Sequence, residues 1–264
     1  TVTGTPYAFQ FHVSEDAYAV AHTALIGPTG QGKTTFFSFM AGQAQRIPDL
    51  NVYFFDRNNG AKVFALMQNA PYVKFDGGAD SVSLNPFAIS GTADNRAFLR
   101  TWLRDITGGT DAVSEQEIAR AVTTAFDYLQ PKERLLKNLY KSCFSNGGFM
   151  RRELLRWVDD DQYGRIFNST EDNLDLDSRY MGFDFTTIFQ DGTLSPAVIS
   201  YVMHRIHTLA TQKGTPTMIM IDETAPMLEH PMFKDQFIVG LREGRKKRQA
   251  FLCAFQQPKF LDDH

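Results

Sequence analysis

Cysteine is nearly absent from this chain of 264 residues. Cys143 and Cys253 stand far apart, without metal-ligand spacing. A disulfide framework and a Cys-based zinc site are thereby excluded, and two reduced, partly buried thiols in a cytoplasmic setting are expected. No apolar run approaches the ~20 residues of a membrane-spanning helix. Charge of one sign is lacking too. Lys and Arg number 27 against 30 Asp and Glu, a formal net charge of −3. Such a chain has no global field for nucleic acid or anionic membrane, so any contact of that kind must be local. There is no internal repeat and no low-complexity tract. Ser, Cys and His show no motif for nucleophilic catalysis. Gly27, Gly30 and Gly32 do not have the G-x-G-x-x-G spacing of a dinucleotide site. A hydrophobic content of 43% is enough for a real core, and the length fits one large domain or a core with an inserted subdomain.

What is present is an octapeptide, Gly27-Pro28-Thr29-Gly30-Gln31-Gly32-Lys33-Thr34. It satisfies G-x-x-x-x-G-K-[ST] at every fixed position. Apolar Ala24-Leu25-Ile26 precedes it and reads as a buried strand, and Thr35 to Gln45 follows as a helix. In that context the glycines let backbone N–H groups curl round an anion, and the helix start adds its positive end. Residues Gly27 to Thr35 are the expected nucleotide-binding segment. Lys33 is placed to reach the β- and γ-phosphates, and the Thr34 hydroxyl to sit on Mg²⁺.

A second apolar run, Thr217 to Ile221, ends in Asp222-Glu223 and reads as a buried parallel strand. Acids at the C-terminal end of such a strand lie where parallel sheets bind ligands. Asp222 suits Mg²⁺ binding and Glu223 the polarising of an attacking water. The pair points to an NTPase that hydrolyses to do work.

Further strands are expected at Leu50 to Phe55, Tyr72 to Phe75, Phe183 to Phe185 and Ala250 to Phe255, with an edge strand at Phe9 to Val13. Between about Ala93 and Asp160 apolar residues recur at helical spacing, among them Phe98, Trp102, Ile118 and Val122. Asp159-Asp160-Asp161, a charge run read as a solvated loop, opens a polar linker to Ser178. Helices are expected from Pro196 to Gln212, with Pro in the first turn, and from Pro231 to Glu243. The reading is α/β with a mainly parallel sheet: a first core part at 1–91, a helical insertion with linker at 92–180 and a second core part at 181–264. Thr1 is not Met, and the chain stops at Asp262-Asp263-His264 soon after a strand, so a piece of a longer protein is expected.

Some features admit two readings. The basic run Arg242 to Arg248 fits helix C-terminal capping with Gly244 as the stop. It also fits an arginine finger reaching a neighbouring subunit, or a short contact to a nucleic-acid backbone. Gln256, directly after the last strand and taken to end an edge strand, is a γ-phosphate sensor or a plain loop amide. Asp56-Arg57-Asn58 touches nucleotide, touches a neighbour, or forms a turn. His204 and His207 are spaced for a metal pair, but no third ligand is near, and packing or surface placement is the simpler reading.

The motifs together resemble the C-terminal ATPase domain of the VirB-type conjugal transfer and type IV secretion ATPases, TrbE and CagE among them. The resemblance runs through Gly4-Thr5-Pro6-Tyr7, Phe9, Phe11-His12, the octapeptide, Phe55 to Gly60, Leu84-Asn85-Pro86-Phe87 and Gly182-Phe183-Asp184. It continues through Ile221-Asp222-Glu223, Leu241 to Lys246 and Phe255-Gln256-Gln257-Pro258. It implies a RecA-like P-loop fold with an all-helical insertion, and ATP and Mg²⁺ as cofactors. It implies a motor for pilus assembly or for transfer of DNA or effector protein, cytoplasmic and peripheral to the bacterial inner membrane. A homo-oligomer, a hexamer, and other secretion components are the implied partners. By the same resemblance Lys33 and Thr34 bind phosphate and Mg²⁺, Asp222 and Glu223 are the Walker-B pair, Arg245 is the finger and Gln256 the sensor. The alternatives are a DNA-translocating ATPase of the coupling-protein or FtsK/HerA type, and a non-enzymatic ATP-binding platform.

Overall fold

A computed structural model describes residue 9, residues 21–78 and residues 81–257. The strand expected at Phe9 to Val13, apart from Phe9 itself, lies outside the described residues, as do the Gly4 to Tyr7 segment and Pro258.

In chain order the elements are β1 (Thr23–Ile26), α1 (Lys33–Ala44), β2 (Asn51–Asp56), α2 (Lys62–Met67) and β3 (Tyr72–Lys74). A run of helices follows: α3 (Ala93–Thr107), α4 (Ala112–Asp127), α5 (Leu136–Cys143), α6 (Phe149–Val158) and α7 (Gly164–Phe167). Then come β4 (Tyr180–Asp184), α8 (Leu194–Lys213), β5 (Thr217–Ile221), α9 (Thr224–Leu228), α10 (Pro231–Glu243) and β6 (Gln249–Phe255). Among the described residues the strands form one sheet in the order β1-β6-β5-β2-β4-β3. Every pairing in it is parallel.

The apolar runs form central strands because both sheet faces are covered, the condition under which parallel sheets are stable. Side chains alternate along each strand. Val52, Phe54, Met218, Met220, Leu252 and Ala254 pack with α1 on one face. Tyr53, Phe55, Ile219, Ile221, Phe251 and Cys253 pack on the other with α8 and α10. That second core continues into the helices between β3 and β4. Trp102 of α3 and Trp157 of α6 are fully buried in it. The Trp102 indole donates to the Ala197 carbonyl of α8 at 3.0 Å.

Two expectations are corrected here. The charge run Asp159 to Asp161 is solvent-accessible as expected, but the linker it opens, to Ser178, is not polar throughout. It contains α7, and Leu174 and Leu176 are buried. Asp172 accepts from the Tyr201 hydroxyl and from Arg205, which offsets the cost of burying a carboxylate. β6 is not an edge strand; it lies between β1 and β5. Gly244 ends α10 as expected, with a φ of −50° rather than a left-handed turn. A Cβ there would stand 2.7 Å from the Gln249 carbonyl oxygen and 2.7 Å from the His22 ring, so glycine serves close approach.

Candidate functional site

Parallel pairing puts the C-terminal ends of β1, β6, β5 and β2 along one sheet edge, and the candidate residues leave from those ends. Gly27 N–H donates to the Phe255 carbonyl at 3.0 Å, seating the start of the octapeptide beside Gln256. Gly30 and Gly32 have φ of 81° and 78°, and α1 starts directly after the second. A side chain at either would strain a left-handed backbone. Lys33 Nζ donates to the carbonyls of Gly27 at 2.7 Å and Pro28 at 3.0 Å, so the ammonium closes the loop.

Thr34 Oγ1 donates to Asp222 Oδ2 at 2.6 Å, across 188 residues of sequence. Burial is the main influence on Asp222 and pushes its carboxyl above the ordinary range, against the Thr34 hydroxyl and the Lys33 ammonium. Glu223 has both oxygens engaged. Oε2 accepts from Arg57 Nη1 at 2.6 Å, and Oε1 from Gln256 Nε2 at 3.1 Å. These groups line an open cavity of about 590 Å³.

The β2–α2 loop closes the cavity from the side. Asp56 is buried and accepts from Tyr72 Oη at 2.5 Å and Ala61 N–H at 2.8 Å. Burial raises its carboxyl to about 6. Asn58 and Asn59 follow with φ of 62° and 57°, a conformation asparagine tolerates better than most residues. Gly60 then passes under Thr34.

The structure therefore brings together Thr29, Gly30, Gly32, Lys33, Thr34, Thr35, Asp222, Glu223 and Gln256. Gly27, Pro28 and Gln31 complete the loop. Arg245 does not line this cavity; it lies beyond α10 in the turn before β6. Of its basic neighbours, Lys247 pairs with Glu243 at 2.7 Å, and Arg248 donates to the Gly214 carbonyl behind α8 at 3.1 Å. His204 and His207 are packing residues. His204 stacks on Phe98 with ring centroids 3.8 Å apart and pairs with Asn95 at 2.7 Å; His207 pairs with Gln249 at 2.7 Å. Among the described residues there is no cluster able to hold a metal through His, Cys, Asp and Glu alone, and no helix long and apolar enough to cross a membrane. Cys143 and Cys253 are free and buried. Of the three alternatives open for Asp56-Arg57-Asn58, the structure brings Arg57 into this cavity, and Gly60, given no role from the sequence, lines it too.

No family model matches the chain. Curated relatives do. The type IV secretion system protein VirB4 of Bartonella henselae is 31% identical over 265 residues, 98% of this chain and 33% of that protein. VirB4 of Bartonella quintana is 29% identical over the same length. The conjugal transfer protein TrbE of Rhizobium radiobacter is 28% identical over 264 residues, 96% of this chain and 31% of that protein. The chain spans about a third of the length of these relatives. Among solved structures, VirB4 of Thermoanaerobacter pseudethanolicus aligns with a TM-score of 0.72 at 14% identity, covering 92% of this chain and 72% of that one. The plasmid coupling protein TrwB in complex with ADP and Mg²⁺ aligns at 0.57 and 14%, covering 92% and 64%. Both share the P-loop α/β fold seen here. Over nearly its whole length, then, the chain matches the VirB4 and TrbE proteins of type IV secretion and conjugal transfer.

Proposed function

We propose that this chain is an ATP-hydrolysing motor module, powering pilus assembly or the transfer of DNA or effector protein through a type IV secretion machine. One observation carries the reading. The Thr34 hydroxyl and the Asp222 carboxylate meet at 2.6 Å, with Lys33 and Glu223 in the same cavity. A hydroxyl and a carboxylate in contact at the start of a helix are oxygen donors suited to Mg²⁺, which takes few protein ligands and phosphate oxygens. TrwB carries ADP and Mg²⁺ on this fold.

In this reading Thr34 and Asp222 hold Mg²⁺, which when bound neutralises charge on the β- and γ-phosphates. The loop amides of Gly30 to Thr35 hold phosphate oxygens at the positive end of α1. Lys33 exchanges the carbonyls of Gly27 and Pro28 for phosphate. Glu223 takes a proton from the attacking water, and Gln256, bonded to Glu223, orients it. Arg245 completes the site of the next subunit in a homo-oligomer, for which a hexamer is the expected form. The module works on the cytoplasmic face, peripheral to the inner membrane, with the other secretion components as partners. The helices of 92–180 form an insertion in a core built from 1–91 and 181–264.

The test is ATP hydrolysis measured against protein concentration, with and without DNA. The reading expects turnover that rises with assembly and needs no DNA. Strict dependence on DNA would move the assignment to a DNA translocase, and absence of turnover in every assembled form would remove the motor.

A further inference from the structure

Beyond the assigned roles, one contact in the cavity has no place in simple hydrolysis. The register of β2 on β5 pairs Phe55 with Ile221. Two residues on, Arg57 therefore faces Glu223, and the two form a salt bridge at 2.6 Å. Gln256 holds the other oxygen at 3.1 Å. Each carboxylate oxygen has a second lone pair, so water can still approach, but the charged 2.6 Å contact with Arg57 competes directly with the proton that Glu223 must accept. The guanidinium remains accessible from the cavity. It is more than a third exposed and lies 5.8 Å from the Phe189 ring centre. Its backbone is fixed, because Asp56 anchors the loop through Ala61 N–H and Thr186 accepts from Asn58 N–H at 2.7 Å. Arg57 lines the same cavity as Lys33. It is a solvent-accessible cation on an anchored backbone, beside the expected phosphates.

We propose that Arg57 is a positioning residue that senses the terminal phosphate in its own subunit. Without nucleotide it holds Glu223 turned toward itself. With a triphosphate it exchanges that carboxylate for the more highly charged phosphate, and Glu223 is freed for water. The chemistry favours the exchange, since guanidinium binds phosphate bidentately and a doubly charged group outcompetes a single carboxylate. A diphosphate lacks the group that draws Arg57 away, so Glu223 stays latched after product forms. This inference rests on the nucleotide reading given above.

The experiment is calorimetric binding of Mg²⁺ with a non-hydrolysable ATP analogue, and of Mg²⁺ with ADP. The proteins are wild type, Arg57→Ala, Arg57→Lys, Glu223→Gln and the double variant Arg57→Ala/Glu223→Gln, each checked by thermal melt. Arg57→Ala should weaken the analogue about tenfold and ADP less than about twofold. Arg57→Lys should recover part of the loss. Glu223→Gln should tighten the analogue about fivefold when Arg57 is present, and less in the Arg57→Ala background. Equal losses for both nucleotides, or the same effect of Glu223→Gln in both backgrounds, would overturn the exchange while leaving the site intact. Failure of wild type to bind ADP would overturn the nucleotide reading itself and this inference with it.

Discussion

Gly60→Ala tests the site through sterics alone. Gly60 lies outside the left-handed region, so alanine fits the backbone there. A Cβ at this position would stand 2.8 Å from Thr34 Cγ2 and 3.4 Å from Asp56 Oδ1. Carbon atoms pack at about 3.5–4.0 Å, so more than half an ångström must be absorbed. Asp56 cannot retreat, being tied to Tyr72 and Ala61. Thr34 is β-branched with a stiff χ1, and its hydroxyl is committed to Asp222. Relief comes from rotating Thr34, which swings its Oγ1 off Asp222, or from displacing the start of α1. Overpacking of this kind costs about 1–3 kcal/mol. The lost bond to a charged acceptor costs about 1.5–3 kcal/mol. We expect Mg²⁺-dependent ADP binding to fall at least about tenfold, while binding in EDTA changes less. Calorimetry in both conditions reads this directly. Gly42→Ala is the control, because its Cβ would meet Phe64 at an ordinary 3.6 Å in the interior of α1. It should stabilise by about 0.5–1 kcal/mol. Wild-type Mg²⁺–ADP affinity in folded Gly60→Ala would refute the coupling of Gly60, Thr34 and Asp222.

Glu223→Gln should keep nucleotide binding and lower turnover by roughly 10²-fold or more, measured by phosphate release; a silent Glu223→Gln beside an inactive Asp222→Asn would mean the two acids hold opposite roles. Mixing Arg245→Ala chains with Glu223→Gln chains should restore part of the activity, since each lends the other an intact half-site; the lack of any rescue would place all catalytic groups in one chain. Acid should weaken the fold through His207. Burial lowers its folded value from 6.5 to about 4. The unfolded chain therefore takes up the proton first, and the contribution present above pH 6.5 is lost as pH falls toward about 4. At full extent that is about 3 kcal/mol. The difference in melting temperature between wild type and His207→Gln should grow less favourable to wild type across that window, and a constant difference would reject it.

The strands of the sheet were legible because central parallel strands are continuous apolar runs, and the octapeptide because its spacing is fixed by phosphate geometry. Asp222 could be placed beside Thr34 for the same reason: both leave C-terminal ends of parallel strands. Arg57 could not, because its meeting with Glu223 depends on the register of β2 against β5, which no local pattern encodes. Gly60 reads as an ordinary turn residue until Thr34 is seen above it. The 159–178 segment misled because its charge count predicts solvent, whereas Arg205 on α8, far along the chain, neutralises Asp172 inside the fold. α9 was not anticipated; Pro226 sits in the first turn of that short helix, where proline is tolerated. β6 lies inside the sheet because the last strand returns between β1 and β5, and chain order alone does not show that.

The central claim is that the cavity around Lys33 binds nucleotide. Equilibrium dialysis of Mg²⁺–ATP at low temperature, on wild type and on Lys33→Ala shown by melting to be folded, tests it most directly. The account predicts saturable binding near one nucleotide per chain in wild type, weakened at least about tenfold in the variant. Equal binding by the two proteins, or none by wild type, would contradict it.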